Sequence, residues 1–129
     1  MFNTIWYDSL TKPFLNPSAW IFPPVWIILY GTILASIIIY SIAVTTKKKS
    51  DGFIILIVHM IFNLLWSPVF FILNRIDIAL VIVIIMDITA ILLIKKFFSI
   101  SKVAGAILVP YLIWILFATY LNIQYVKLN

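Results

Sequence analysis

The chain has 129 residues, of which 65% are hydrophobic and 10% charged, and its mean hydropathy is +1.21. Soluble domains are nearer half apolar and a quarter charged, so this composition excludes a water-soluble globule and predicts a small membrane protein. The net charge of +5 comes from lysines between apolar runs, which indicate membrane topology and not a nucleic-acid surface. The chain has no cysteine and a single histidine, which excludes disulfides, thiolate nucleophiles and multi-histidine metal clusters.

The first 19 residues are too polar to span a membrane and contain no apolar signal-peptide core. Trp6 suits the headgroup region, while Pro13 and its neighbouring prolines interrupt helix. We predict an ordered extracellular Trp/Pro-rich loop over 1–19 that lies on the mouth of the bundle. A loose amphipathic tail is the alternative.

Four apolar runs follow, and each is long enough to help cross a hydrocarbon core about 30 Å thick. All four are predicted to be helices, because lipid satisfies no backbone polar group. The predicted fold class is therefore all-α, an integral membrane bundle of four transmembrane helices over 20–129. The predicted spans are 20–44, 53–73, 78–94 and 103–126.

The basic residues predict the orientation of the bundle. Six of the nine Lys and Arg residues lie in the predicted loops 45–52 and 95–102, and the other three are Lys12, Arg75 and Lys127. Cytoplasmic loops carry an excess of basic residues. We therefore expect both loops in the cytoplasm and both termini outside.

The second span carries polar and aromatic residues on one stripe. His59, Asn63, Trp66 and Phe70 are spaced by four, three and four residues, which aligns them on one helix face. An amide at the depth of Asn63 either pairs with another helix or lines a polar cavity, and the residues leave both open. His59 fits a satisfied core histidine better than a metal ligand, because no second ligand has the needed spacing, and no metal site is predicted. Pro68 should bend the helix.

The fourth span repeats this arrangement with Trp114, Ala118, Leu121 and Tyr125 on one stripe. A large ring beside a small residue suits a flat ligand, and it suits a close helix contact equally well. Pro110, one turn before Trp114, should bend this helix as well.

Asp87 places a carboxylate inside the third span, which costs roughly 2.5–3.5 kcal/mol on insertion scales and is a functional hypothesis by default. His59 is its possible partner, since no lysine or arginine lies within a span. The chain has no glycine-rich phosphate loop and no paired carboxylates, so we predict no catalytic residue.

At these residues the chain resembles the translocator protein family, also called the tryptophan-rich sensory protein or TspO/MBR family. The blocks that carry the resemblance, in family order, are Trp6–Pro13 with Pro17, Phe22–Tyr30, Asn63–Phe71 and Pro110–Asn122. The resemblance implies a five-helix bundle, often a homodimer, in a bacterial cell membrane. It also implies a pocket that binds porphyrins or haem-related tetrapyrroles as ligands, with no other cofactor.

The resemblance matches Trp26, Asn63, Trp114 and Ala118 to pocket positions of the family, and the stripe on the second span adds His59, Trp66 and Phe70. The predicted ligand-binding residues are Trp26, His59, Asn63, Trp66, Phe70, Trp114 and Ala118. Trp6, Lys12 and Pro13 would form the mouth, where Lys12 could meet propionates. The predicted function is a porphyrin-binding membrane receptor or transporter. The alternatives are an enzyme that degrades protoporphyrin in light through Trp26 and Trp114, and a non-catalytic structural membrane protein.

Two departures from the family pattern and one weak further motif bear on these expectations. The family's first helix precedes the block that begins at Trp6, and only five residues precede it here, so that helix is expected to be absent or the start misassigned. His59 stands where the family usually has an amide; it could ligate haem iron, hydrogen-bond a porphyrin carboxylate, or replace the amide between helices. Leu121, Tyr125 and Lys127 fit a loose sterol-recognition pattern, which is a weak motif in a bacterial protein.

Overall fold

A computed structural model of the protein describes residues 21–128. The predicted loop over 1–19, with Trp6, Lys12 and Pro13, lies outside the described residues. Between 21 and 128 the chain is helical with short connections and has no strand. Four segments are long and apolar enough to cross a bilayer, which confirms the predicted all-α membrane fold.

The described chain contains five α-helices and one π-helical turn. They are α1 (Phe22–Ile42), α2 (Ser50–Ser67), the π-turn (Pro68–Ile72), α3 (Ile76–Ile100), α4 (Lys102–Ile107) and α5 (Val109–Leu128). The π-turn continues α2, and α4 with α5 makes the fourth span. Each span therefore runs opposite to the one before it.

The antiparallel order gives the bundle two ends. At one end, called the Lys47 end, Lys47 Nζ donates to the carbonyl of Ser99 at 2.8 Å, joining the α1–α2 loop to the last turn of α3. At the other, called the Asn74 end, Asn122 Nδ2 donates to the carbonyl of Ile76 at 3.0 Å, joining α5 to the start of α3. The turn at this end contains Asn74 at φ 55°, a left-handed conformation that asparagine adopts more readily than most residues.

The prolines inside the second and fourth spans, Pro68 and Pro110, disturb helix geometry, as predicted. The π-turn begins at Pro68, whose carbonyl accepts from Leu73 N at 3.0 Å, five residues on. Pro110 has no N–H to donate to the carbonyl of Ala106, four residues back. The chain turns at Leu108 instead, and this turn separates α4 from α5.

The loops at the Lys47 end are shorter than the predicted loops 45–52 and 95–102, because α2 and α3 extend beyond the predicted spans. α2 already begins at Ser50, and α3 continues to Ile100, so Lys95 and Lys96 lie within α3. Only Ser101 separates α3 from α4. The connection over 95–102 is therefore mostly helix.

Buried aromatic packing explains the extension of α3. Phe97 is fully buried, and its ring stacks on Tyr40 of α1 with centroids 3.9 Å apart. Tyr40 in turn packs edge-on against Phe53 of α2 at 5.3 Å. Burial of the Phe97 ring stabilises a helix that continues past Lys95 and Lys96, and this gain outweighs the preference of two charged residues for a loop.

α3 is the central helix of the bundle. It contacts α2, α4 and α5, while α1 packs mainly on α4. The hydroxyl of Ser36 on α1 donates to the carbonyl of Ala104 at 2.7 Å and so stabilises the contact between α1 and α4. The outward faces carry exposed apolar side chains, among them Ile27, Ile57 and Ile113, as lipid-facing helices require.

Candidate functional site

The stripe predicted on the second span faces the interior of the bundle. His59, Asn63 and Phe70 are buried, and Trp66 is half-buried. The polar atoms of His59, Asn63 and Trp66 all reach side chains of α5. The four residues therefore share one face, as their spacing predicts, and that face packs against the fourth span.

Tyr111 of α5 is the centre of a hydrogen-bond network. Its hydroxyl lies 2.6 Å from Asn63 Nδ2 and 2.6 Å from His59 Nε2. The hydroxyl of Tyr30 on α1 donates to Asn63 Oδ1 at 2.6 Å. One buried amide thus joins α1, α2 and α5.

The network reaches α3 through the other ring nitrogen of the histidine. His59 Nδ1 lies 2.7 Å from Thr89 Oγ1, and Thr89 also lies 3.0 Å from the carbonyl of Ile85, one turn before it. Tyr30, Asn63, Tyr111, His59 and Thr89 are called the Tyr111 network below. All four spans contribute to it.

The hydrogen bonds of Asn63 and His59 bear on whether these residues join helices or contact a ligand. Both ends of the Asn63 amide and both ring nitrogens of His59 already have partners on other helices. Both residues therefore join helices, and the observed arrangement leaves neither ring nitrogen of His59 open to a haem iron. Among residues 21–128 no three His, Cys, Asp or Glu side chains group together as metal ligands.

Asp87 does not pair with His59, so that expectation is wrong. Its Oδ2 instead accepts from Thr119 Oγ1 of α5 at 2.6 Å, and the residue is only 8% exposed. The other carboxyl oxygen, Oδ1, has no hydrogen-bond partner within the described part of the chain. His59 bonds instead to Thr89, two residues further along α3, and side chains two residues apart on a helix do not face the same way.

A second polar contact lies nearer the Asn74 end. Trp66 Nε1 donates to Asn122 Oδ1 at 3.0 Å, and Asn122 Nδ2 in turn donates to the carbonyl of Ile76. Asn122 is 1% exposed. The Trp66 ring also stacks on Phe70 at 5.1 Å, which holds it against α2 and α5 together.

The remaining predicted site residues lie near these contacts. Trp26 and Trp114 are half-buried, with ring centroids 5.6 Å from Tyr30 and 5.6 Å from Phe117 respectively. Ala118 is half-buried one turn after Trp114. Each ring packs on the core by one part and leaves another part exposed.

The weak sterol pattern does not form one surface. Leu121 and Tyr125 are buried, whereas Lys127 is exposed. A cleft of about 240 Å³ at the Asn74 end is lined partly by Tyr125 and by Asp77.

Sequence reasoning missed Tyr111, Tyr30, Thr89 and Thr119. Each is a hydroxyl residue inside a predicted span, at a depth where a hydroxyl needs a partner. That signal could have identified them as polar contacts. It could not have told which of them meets His59, Asn63 or Asp87.

Comparisons with known proteins give a consistent result. The sequence profile of the TspO/MBR family matches residues 1–128. The "Tryptophan-rich sensory protein" of Cereibacter sphaeroides is 37% identical over 124 residues, covering 96% of this chain and 77% of that protein. The "Tryptophan-rich protein TspO" of Chlorobaculum tepidum is 38% identical over 130 residues, covering 96% and 79%. The human "Translocator protein" is 29% identical over 119 residues, covering 91% and 70%.

Proposed function

This chain belongs to the TspO/MBR family of membrane proteins, and from that premise we propose that it binds porphyrins and related tetrapyrroles between its helices. Ligand binding would serve a sensory or transport role in the bilayer, which the four spans of the protein cross.

One observation carries this proposal: three tryptophans on three helices each lie one turn from a member of the Tyr111 network. The pairs are Trp26 with Tyr30, Trp66 with Asn63, and Trp114 with Tyr111. Planar aromatic rings on three helices thus lie one helical turn from a hydrogen-bonding network within the four spans. A flat apolar ring with polar substituents is the ligand class that fits such surroundings.

We expect protoporphyrin to quench the tryptophan fluorescence of the purified protein saturably in detergent. Trp114→Phe should weaken the quenching, because a half-buried indole of the proposed site is lost. The matched control is Ile113→Ala on the same helix, whose side chain is exposed to lipid and should leave the titration unchanged. A titration without saturation in the wild type would exclude the ligand function and leave a structural role.

Light-driven degradation of protoporphyrin is the second candidate function. The half-buried rings of Trp26 and Trp114 favour it, because indole is readily oxidised and both would touch a ligand in the proposed site. The titration is therefore repeated under illumination. Binding that survives Trp114→Phe while bleaching of the porphyrin is lost would favour this reaction over simple binding.

We also propose that the Lys47 end faces the cytoplasm and that the protein forms a homodimer. The chain has no cysteine, so single substitutions report sidedness cleanly. Asn74→Cys should react with a membrane-impermeant maleimide in intact spheroplasts, whereas Lys48→Cys should react only after permeabilisation. The opposite labelling pattern would reverse the orientation.

The proposed homodimer is tested by the native mass of the protein in detergent. A protein mass of 14.9 kDa after correction for detergent, the mass of one chain, would exclude the dimer.

A further inference from the structure

The hydrogen directions in the Tyr111 network can be assigned from its chain of partners. Thr89 has one hydroxyl proton, and the carbonyls of Ile85 and Met86 lie 3.0 and 3.1 Å from its oxygen. When that proton goes to these carbonyls, Thr89 must accept from His59 Nδ1. His59 Nε2 then carries a lone pair, and this lone pair faces the Tyr111 hydroxyl at 2.6 Å.

The rest of the network agrees with this assignment. Tyr111 donates to His59 and accepts from Asn63 Nδ2, while Asn63 Oδ1 accepts from Tyr30. Every hydroxyl hydrogen, the imidazole hydrogen and one hydrogen of the Asn63 amide then have an acceptor. Reversing the directions would turn Asn63 over, leave the Tyr30 hydrogen without this acceptor, and remove the two carbonyl contacts of Thr89. The neutral histidine with its proton on Nδ1 is the arrangement that satisfies the most groups.

A tyrosine whose hydroxyl donates to a neutral histidine is easier to oxidise than an isolated one. A phenol that loses an electron becomes a strong acid, and a base at 2.6 Å can take the proton as the electron leaves. Burial makes this proximity important, because both residues are at most 1% exposed and no bulk water can take the proton. We propose that Tyr111 and His59 are a redox-active pair that receives an oxidising equivalent during illumination.

The step balances within the site. Tyr111 gives one electron to a photoexcited tetrapyrrole, either directly or through the indole of Trp114 one turn away. The phenolic proton moves to His59 Nε2. The products are a neutral tyrosyl radical, an imidazolium and a tetrapyrrole radical anion. Return of the electron and the proton restores the starting state.

The surrounding groups can hold these products. The imidazolium keeps its Nδ1–H on Thr89, and the phenoxyl oxygen keeps the hydrogen bond from Asn63 Nδ2. Neither partner has to move. The pair therefore stores the oxidising equivalent away from the ligand, a role distinct from that of the tryptophans. The tetrapyrrole as oxidant rests on the proposed function, but the pair itself can be tested without any ligand.

The first test is the position of the histidine proton. Because His59 is the single histidine, protein labelled with ¹⁵N-histidine gives one pair of ring resonances. We expect a neutral ring with the proton on Nδ1 in the ligand-free protein in detergent. A proton on Nε2 would overturn the proposal, because His59 would then have no lone pair facing Tyr111.

The second test is radical formation in the ligand-free protein. An ultraviolet flash ejects electrons from indole rings; nitrous oxide removes the ejected electrons, and tert-butanol removes the hydroxyl radicals that this forms. We expect a neutral tyrosyl radical in transient absorption and electron paramagnetic resonance, with the signal narrowed by deuterated tyrosine. The radical should be lost in Tyr111→Phe and retained in Tyr120→Phe, a half-buried tyrosine on the same helix. Equal signals in these two variants would overturn the assignment to Tyr111.

His59→Gln separates proton transfer from hydrogen bonding. The glutamine oxygen can accept from Tyr111 but cannot take the proton. We expect the rate of tyrosyl formation to fall about a hundredfold, the lower end of what a positioned base contributes. An unchanged rate would overturn the proposal even if protoporphyrin binds. A radical in the flash test without saturable protoporphyrin quenching would support the pair and contradict only the proposed ligand.

Discussion

Gly105→Ala is expected to lower the free energy of unfolding by about 1–3 kcal/mol, the usual cost of overpacking. A Cβ atom at Gly105 would lie 2.6 Å from Phe98 Cβ and 2.8 Å from Phe98 Cα and N. These atoms belong to the backbone or lie next to it, so they cannot turn aside as a flexible side chain would. α4 would have to move away from α3.

Gly31→Ala is the matched control, because a Cβ there would meet nothing within 4 Å. It should be neutral or slightly stabilising, since alanine is the better helix former. Unfolding of both variants is followed by titration with sodium dodecyl sulfate in mixed micelles. Equal stability of the two variants would mean that α3 and α4 are not as close as described.

The movement of α4 would reach the rest of the bundle. The carbonyl of Ala104, next to Gly105, accepts from Ser36 of α1, and the amide of Ala104 donates to the cap residue Ser101 at 3.3 Å. A shift of α4 therefore strains its contact with α1 and its own first turn together. We therefore expect the loss in the free energy of unfolding to lie towards the upper end of the range of about 1–3 kcal/mol.

The fold was predictable from the sequence because lipid permits few alternatives. Uninterrupted apolar runs gave the four spans, and Pro68 and Pro110 gave the two irregular turns. The end of α3 was not predictable from Lys95 and Lys96, which read as a loop. It depends on the stack of Phe97 on Tyr40, a contact between residues far apart in the chain.

The site was predictable only helix by helix. Helical spacing placed His59 and Asn63 on one face, but a spacing within one helix says nothing about the rotation or depth of its neighbours. Those depend on close approaches such as that of Gly105 to Phe98. For this reason the partner of Asp87 was predicted as His59, when Thr119 lies opposite it.

Tyr111→Phe is the second substitution with a large expected effect. It keeps the ring, which packs edge-on against His59 at 5.5 Å, and removes only the hydroxyl. His59 Nε2 and Asn63 Nδ2 both lose their partner inside the bundle. Interhelical hydrogen bonds in membranes average about 0.6 kcal/mol, whereas a buried polar group left without a partner costs about 1–3 kcal/mol.

The cost of leaving His59 Nε2 and Asn63 Nδ2 without a hydrogen-bond partner determines how much stability is lost. Two such groups arise from one substitution, and neighbouring waters cannot reach His59, which is fully buried. We therefore expect a loss of about 1–3 kcal/mol in the free energy of unfolding, measured by the same detergent titration. Tyr120→Phe removes a hydroxyl from a half-buried ring on the same helix and should change little. If the two variants lose equal stability, the Tyr111 hydroxyl does not hold His59 and Asn63 to α5 as described.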